Sequence, residues 1–594
     1  MAVMKIDLYL THARIFNVYL KKFIEGNIAV SGGRFLYIGT VEPPVQPLKT
    51  IDLAGKYVIP GMIDCHMHIE STMVAPHTFL RGSVKNGVTT LIAEPHEIAN
   101  VFGVEGIRAL AAAAADGPAH VYIAIPSSVP STNETLETTG AVIGTAEVEQ
   151  LLHMDQVICL GEVMNGHDLI ADDHSRISEL VRQVRHIRPD FPLEGHLPRF
   201  LDWDLARILY TGVNSDHTDQ SVETVRQRIA NGCFIELQDK TLRPDIVQYI
   251  IDENLFEHMA IVTDDTMPDD FVERGTLNYL VQKAMNLGFT PEQAVYTTTY
   301  TPARRMGLRD RGSIAPGKVA DFVILDNLND FHICSTYCDA KEVYNRNVPP
   351  VEEQRDTSFP NRFYHSVHAA PMKEDDFVLP TEQQDGTVRC RLLVVSSDTT
   401  FVQSEEVEVP VRNHEIDWDD SPYNLAVVVE RHGKNHGRGY ARPTDAIQRL
   451  RKGKNHGRGY ALVGGSALKR GAAATTYAHD HHNLLIIGQN KRDMMTAANA
   501  VIEAQGGYAV AYHGSVTAFA PLPIAGILSD QPLPVLGRQI QKVRASLESL
   551  GYVHHNVIMS LSTLSLPVSP FYKLTDKGIV DVQKQRIVPL VIDG

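Results

Sequence analysis

Short alternating apolar and polar positions open the chain. Residues 7–18, 26–31, 34–38 and 49–52 read as β-strands, and Gly32-Gly33 marks a hairpin turn between two of them. From Tyr57 the rhythm changes. Apolar runs recur at 57–64, 89–93, 120–125, 157–160, 191–194, 213–215, 233–237 and 260–263. Between them lie stretches with helical spacing, among them 75–85, 104–115, 177–187, 201–209, 222–229 and 244–252. Eight strand-like runs alternating with helices predict an α/β fold, a (β/α)8 TIM-like barrel, with an open doubly wound sheet as the alternative.

Two more helical segments (281–287 and 291–299) follow, and β character returns over 312–325. Residues 346–374, rich in Pro, Asn, Arg and Glu, read as a linker. From 375 onward β runs mix with a helix at 492–503, predicting a C-terminal α+β domain. The string GKNHGRGYA occurs at 433–441 and again at 453–461 and reads as a duplicated basic, glycine-rich loop.

The chain has 594 residues, too many for one core at about 150 residues per domain. A net charge of −16 gives no reason to expect nucleic acid as a partner. The 6 cysteines are irregularly spaced, which argues against a disulfide framework. No run is apolar for long enough to span a membrane, and the N-terminus shows no secretion signal, so the expectation is a cytoplasmic protein without a membrane partner.

Composition changes the picture at one residue type, the 26 histidines. Chance alone gives about one His-x-His pair in such a chain. Their register is less ordinary. The apolar runs end in Asp64-Cys65-His66-Met67-His68, Glu94-Pro95-His96-Glu97, Gly161-Glu162, Gly195-His196, Asp216-His217 and Asp264-Asp265. Barrel enzymes build their active sites at that end of the strands. Residues i and i+2 of a strand share a side, so His66 and His68 can grip one ion, and a carboxylate from another strand can bridge two. Neutral imidazoles and carboxylates suit Zn²⁺, Mn²⁺ or Fe²⁺. Such ions bring the ionisation of water near neutrality, and Asp264 is placed to take a proton and return it to a leaving group.

This constellation, with Val58-Ile-Pro-Gly-Met-Ile-Asp-Cys-His-Met-His, resembles the amidohydrolase superfamily. Gly312-Ser-Ile-Ala-Pro-Gly-Lys-Val-Ala-Asp-Phe-Val resembles that superfamily's return into a flanking β-domain. The resemblance thus implies a composite β-sandwich from 1–58 plus 310–345, a barrel over 59–309, a linker over 346–374 and a C-terminal domain over 375–594. Within the superfamily the chain is similar to bacterial-type adenine deaminases. The carrying motifs are His68-Ile-Glu-Ser-Thr-Met-Val, Glu94-Pro-His-Glu-Ile-Ala-Asn-Val, Gly161-Glu-Val-Met, Gly195-His-Leu-Pro, Ser215-Asp-His, Thr263-Asp-Asp, Thr301-Pro-Ala-Arg, Leu468-Lys-Arg-Gly-Ala and Ala478-His-Asp-His-His-Asn.

That resemblance implies two divalent ions, Mn²⁺ foremost, with Fe²⁺ and Zn²⁺ as alternatives. His66, His68 and Asp264 would hold one ion, His196 and His217 the other, and Glu162 would bridge them. It implies hydrolysis at C6 of adenine to hypoxanthine and ammonia, with Asp264 as proton shuttle and Glu97 protonating or orienting the ring. It further implies His96, Asp265, His479, Asp480 and His482 near the substrate, a purine-like small molecule as partner, and a homo-oligomer. The family pattern is departed from at Thr218, across 236–241, and at Gly275-Thr276-Leu277-Asn278. Those departures leave open another purine-like, pterin or cyclic amide substrate, and an inactive metal-binding scaffold as a third reading.

Overall fold

The computed structural model describes residues 3–349, 355–356, 358–419, 421–434 and 457–592. Its first strands are β1 (Met4–Asn17), β2 (Lys22–Ser31), β3 (Arg34–Gly39), β4 (Val45–Asp52) and β5 (Tyr57–Pro60). The apolar run expected at 57–64 divides after β5. Gly61 ends it: a Cβ there would lie 2.1 Å from Thr89 Oγ1, so only glycine lets the chain pass so close to the next strand. Beyond it the chain enters a different sheet.

That sheet has five parallel strands: β6 (Met62–Met67), β7 (Val88–Ala93), β8 (His120–Ile125), β9 (Val157–Val163) and β10 (Leu193–Gly195). A second parallel sheet holds β11 (Ser215–Asp216), β12 (Phe234–Leu237) and β13 (Met259–Ile261). All eight expected runs are therefore strands, in the expected order. The ladder around them is not continuous. At one seam Asn214 N donates to Leu193 O at 3.2 Å; at the other Asp264 N donates to His66 O at 3.1 Å beside a Met67–Asp264 bridge. Every residue of β6 and β7 is buried, which is why these strands read as apolar runs without alternation.

Helices separate the strands, and one begins earlier than its periodicity predicts. The helix expected over 104–115 spans His96–Ala115, bent where Gly103 takes φ 60°. Its first turns are buried on all sides, so they carry no amphipathic signature. By length and composition this helix alone among the described residues is able to cross a membrane, and half of it is buried in the core.

Three later strands, β14 (Phe322–Leu325), β15 (Ile333–Cys338) and β16 (Lys341–Asn345), return to the first sheet in the order β16-β15-β14-β5-β1-β2-β3, with β4 paired to β1. Its buried face is a cluster that includes Leu8, Ile15, Ile28, Val30, Phe35 and Phe322, with Tyr337 stacked on Phe322 at 4.4 Å. The segment read as a linker packs closely where it is described: Phe359, Phe363, Val367 and Met372 are buried, and Phe363 lies 4.1 Å from Phe102.

Beyond it a nine-stranded sheet forms, with helices Lys491–Glu503 and Leu533–Ser549 packed on it. Most of the first GKNHGRGYA copy, and residues 453–456 of the second, lie outside the described residues. The end of the second copy is not the expected loop. It forms the buried start of strand Arg458–Gly465, where Gly459 passes so close to Thr575 O that a Cβ would lie 1.8 Å away, and Arg458 pairs with Asp376 at 2.5 Å. All six cysteines are free thiols.

Candidate metal centre

The C-terminal ends of both parallel sheets converge on one buried cluster. His66 and His68 stand at the end of β6, Glu162 near the end of β9, His196 just after β10, His217 after β11 and Asp264 after β13. The structure brings all six together. His196 Nδ1 and His217 Nε2 approach Glu162 Oε2 at 2.8 and 3.1 Å, and the two nitrogens are 3.0 Å apart. Glu162 Oε1 lies 3.5 Å from His68 Nε2, which is also 3.5 Å from Asp264 Oδ1; His66 Nε2 is 3.8 Å from the same oxygen. The ligand atoms of His66, His68 and Asp264 lie within 4.8 Å of one another, as do those of His66, Glu162 and His217.

Donors about 3 to 4 Å apart are what bonds of about 2.0–2.2 Å to a shared ion impose. His66 Nε2 is buried with no hydrogen-bond partner, which a ligating nitrogen would not have. Burial and the neighbouring imidazoles hold His66 far below the usual histidine range, in the neutral form that ligates. Burial also disfavours charge on His68, but its hydrogen bond to Asp264 and the carboxylates around it win, and its pKa is pushed well up. His217 is raised in the same way by Glu162. A field that draws protons onto these rings is one that attracts cations. Burial resists ionisation of Glu162 and Asp264 too, yet hydrogen bonds from the imidazoles hold both carboxylates below their ordinary range. The residues fit divalent metal binding, with Glu162 facing both groups of donors.

A surrounding shell holds these side chains. Glu162 N donates to Glu94 Oε2 at 3.2 Å, and Gly161 makes room for it, since a Cβ there would fall 1.7 Å from that oxygen. Glu94 O accepts from His68 Nδ1 at 3.1 Å, which leaves His68 Nε2 to face the cluster. Gln238 donates to His217 O at 2.7 Å. Beside His217, Asp216 accepts from buried Arg228, from Leu197 N at 3.1 Å and from Gln220 at 2.8 Å. Thr218, one of the departures from the family pattern, turns its hydroxyl to Asp216 at 3.1 Å and stays out of the cluster. Thr276 and Asn278, at another departure, form a local turn in which Asn278 Oδ1 accepts from Thr276 N at 3.0 Å.

Asp216 and Arg228 form a fully buried ion pair, and Asp216→Asn is expected to destabilise the fold by about 3–5 kcal/mol by stranding the guanidinium. Burial opposes the Asp216 charge, but Arg228 and His217 outweigh it and lower its pKa. With the folded value below the unfolded one, this stabilisation is complete above the unfolded pKa of about 3.9 and is lost as pH falls through the folded value. Urea unfolding at neutral pH measures it, and a change under about 1 kcal/mol would refute it.

The remaining candidates lie against one side of the cluster. His96 Nδ1 is 3.6 Å from Glu162 Oε1, and Glu97 is buried beside it. Ser71, which the sequence did not single out, donates to Asp265 and, at 3.4 Å, to Glu97 Oε1. Glu94, at the end of its apolar run, and Glu70, in the motif that starts at His68, lie beside them; burial pushes Glu70 up to about 8 and Glu94 well above the carboxylate range. From the C-terminal region, Asp480 reaches His96 at 3.6 Å and His479 reaches Glu97 at 3.9 Å, while His482 stands behind His479 with ring centres 5.7 Å apart. Asp265 is exposed and His196 partly so, which opens the cluster on that side. A cavity of about 470 Å³ lined by His120, Tyr122 and Asp339 lies at the opposite end of β8, away from these donors.

Comparison with known proteins agrees with this geometry. Residues 57–348 match the model of the amidohydrolase family, and residues 444–586 match that of the adenine deaminase C-terminal domain. An adenine deaminase of Clostridium perfringens is 44% identical over 99% of this chain and 100% of its own length. Adenine deaminase 2 of Shouchella clausii is 43% identical over 99% and 100%, and an adenine deaminase of Lactobacillus delbrueckii subsp. bulgaricus is 43% identical over 99% of each. With relatives this similar over its whole length, the chain belongs to the adenine deaminase family of the amidohydrolases.

Proposed function

We propose that the chain hydrolyses adenine to hypoxanthine and ammonia, using two divalent metal ions. The observation that carries the reading is the convergence of His196 and His217 on one oxygen of Glu162 while His68 faces the other, in a chain whose full-length relatives are adenine deaminases. His66, His68 and Asp264 would hold one ion and His196 and His217 the other, with Glu162 placed between the two sets of donors. In this reading the eight parallel strands work as one barrel, flanked by the sheet of 1–58 plus 310–345 and followed by the C-terminal domain. Imidazoles and carboxylates without a thiolate accept Mn²⁺, Fe²⁺ or Zn²⁺, and Mn²⁺ is the first choice because the family resemblance implies it.

When bound, the ions supply Lewis acidity, polarising water and the ring at neutral pH. The protein's part is positioning and proton transfer. Asp264, held ionised by its imidazole neighbours, accepts a proton from the attacking water as oxygen bonds to C6. It then delivers that proton to the exocyclic nitrogen, and the C6–N bond breaks to release ammonia. Glu97 has Oε2 without a partner and is placed with Ser71 and Asp265 to orient the ring. His479, Asp480 and His482 close the pocket from the C-terminal side.

The test is ammonia release from adenine by Mn²⁺-loaded protein, alongside other aminopurines, pterins and cyclic amides. Turnover of adenine above the rest of the panel is expected; full metal occupancy with no adenine turnover would overturn the substrate assignment.

A further inference from the structure

Next to the six donors lies a second group that would ligate neither ion in the two-ion reading. His96 Nε2 is 3.6 Å from Asp480 Oδ1, His479 Nδ1 is 3.3 Å from that oxygen, and His479 Nδ1 is 3.9 Å from Glu97 Oε1. The ligand atoms of His96, Glu97 and His479 all fall within 4.8 Å of one another. All four residues are at most 4% exposed, so solvent cannot satisfy them.

Three features separate this group from an ordinary hydrogen-bonded cluster. His479 Nδ1 and Asp480 Oδ1 are hydrogen-bonded at 3.3 Å, but the separations of 3.6 and 3.9 Å are too long for hydrogen bonds and match donor spacing around an ion with bonds of about 2.0–2.2 Å. Asp480 Oδ2 is buried without a partner beside the Oδ1 that faces His96 and His479, an expensive arrangement that leaves this carboxylate an oxygen to spare for a metal. Finally, among the described residues the ion-pair partners of Glu97 and Asp480 are imidazoles, with no lysine or arginine. The two buried carboxylates carry two negative charges, which one divalent cation would balance once the imidazoles ligate it in their neutral form.

We propose that His96, Glu97, His479 and Asp480 bind a third divalent ion of the Mn²⁺, Fe²⁺ or Zn²⁺ class. Two of these ligands begin the helix His96–Ala115 and two belong to the C-terminal region, so the ion clasps that region over the catalytic face. The clasp continues the contacts that Asn483 makes with Thr138 O at 2.9 Å and Asp576 with Thr138 N at 2.9 Å. Glu97 Oε1 faces this ion, while Oε2 stays free for the substrate ring.

The experiment uses the full-length protein, stripped with a chelator and dialysed to equilibrium against Mn²⁺. Metal per chain is then measured by plasma emission, and crystals are examined for anomalous peaks at the manganese edge. The wild type is expected to hold three ions, one of them between His96, Glu97, His479 and Asp480, and His479→Asn and Asp480→Asn to hold two. Two ions in the wild type with no peak at that position would overturn the proposal and leave the two-ion centre standing. Three ions in both variants would also overturn it. Absence of any ion would overturn the two-ion centre as well. Should the variants fail to fold, the wild-type count and peak decide.

Discussion

Glu162→Gln is expected to release metal and lower turnover of adenine by at least about 10³-fold, since several kcal/mol of electrostatic stabilisation are lost at 1.36 kcal/mol per decade. One Glu162 oxygen faces His196 and His217 and the other faces His68, so each serves a different set of donors. A glutamine offers one oxygen and one amide NH₂, and the NH₂ end can only donate. Both sets of donors lose their anionic partner, and whichever way the side chain turns, one set faces an NH₂ that cannot bind a metal. The backbone at this position is held independently: Glu162 N donates to Glu94, and Glu162 O accepts from Ser127 at 2.6 Å. The variant therefore folds, and its circular dichroism should match the parent. Metal content per chain and kcat are measured on the same sample; two retained ions with kcat within tenfold of the parent would refute the bridging role.

What the sequence discloses about this centre follows from strand geometry. His66 and His68 are legible because alternate residues share a face, and Glu162, His196, His217 and Asp264 because each follows an apolar run. Glu94 and Gly161 are not legible in the same way. Their roles depend on a backbone contact between neighbouring strands, and a glycine at a strand end looks like a turn until the carboxylate packed on it is seen. Ser71 is hidden for another reason, because it lies in a short helical turn, Glu70–Thr72, with no periodicity of its own. The first turns of His96–Ala115 are buried all round and lose the amphipathic signal. His479 and Asp480 are visible as a motif, yet their partners His96 and Glu97 are remote in sequence, and local pattern carries no information about that approach. The break after Pro60 shows the same limit: 57–64 is a single apolar run, and the close passage of Gly61 by Thr89 divides it between two sheets.

Asp264→Asn is expected to reduce kcat by about 10²–10⁴-fold, the usual worth of a positioned proton carrier, with a much smaller change in KM. Asp264 follows β13 with φ 56°, in the left-handed region that most side chains avoid and that asparagine tolerates. The substitution thus removes the proton-accepting oxygen without adding backbone strain, which an alanine would add. The peptide at this position is also fixed by others: Asp264 N donates to His66 O at 3.1 Å, and Thr263 N donates to Asp64 at 3.2 Å. Asp264 Oδ1 faces His68 and His66, so the amide still offers one oxygen to a metal, and the metal loss should be smaller than in Glu162→Gln. The two variants are thereby distinguishable: one loses ions and turnover together, the other chiefly turnover. The sign of the pH effect is fixed as well. The folded Asp264 carboxyl titrates below the ordinary carboxylate range, so the parent keeps its proton acceptor at neutral pH and loses it only as pH falls far into acid. In Asp264→Asn that acid limb disappears from the kcat profile. A variant with low kcat and an unchanged acid limb would assign the proton transfer to another group.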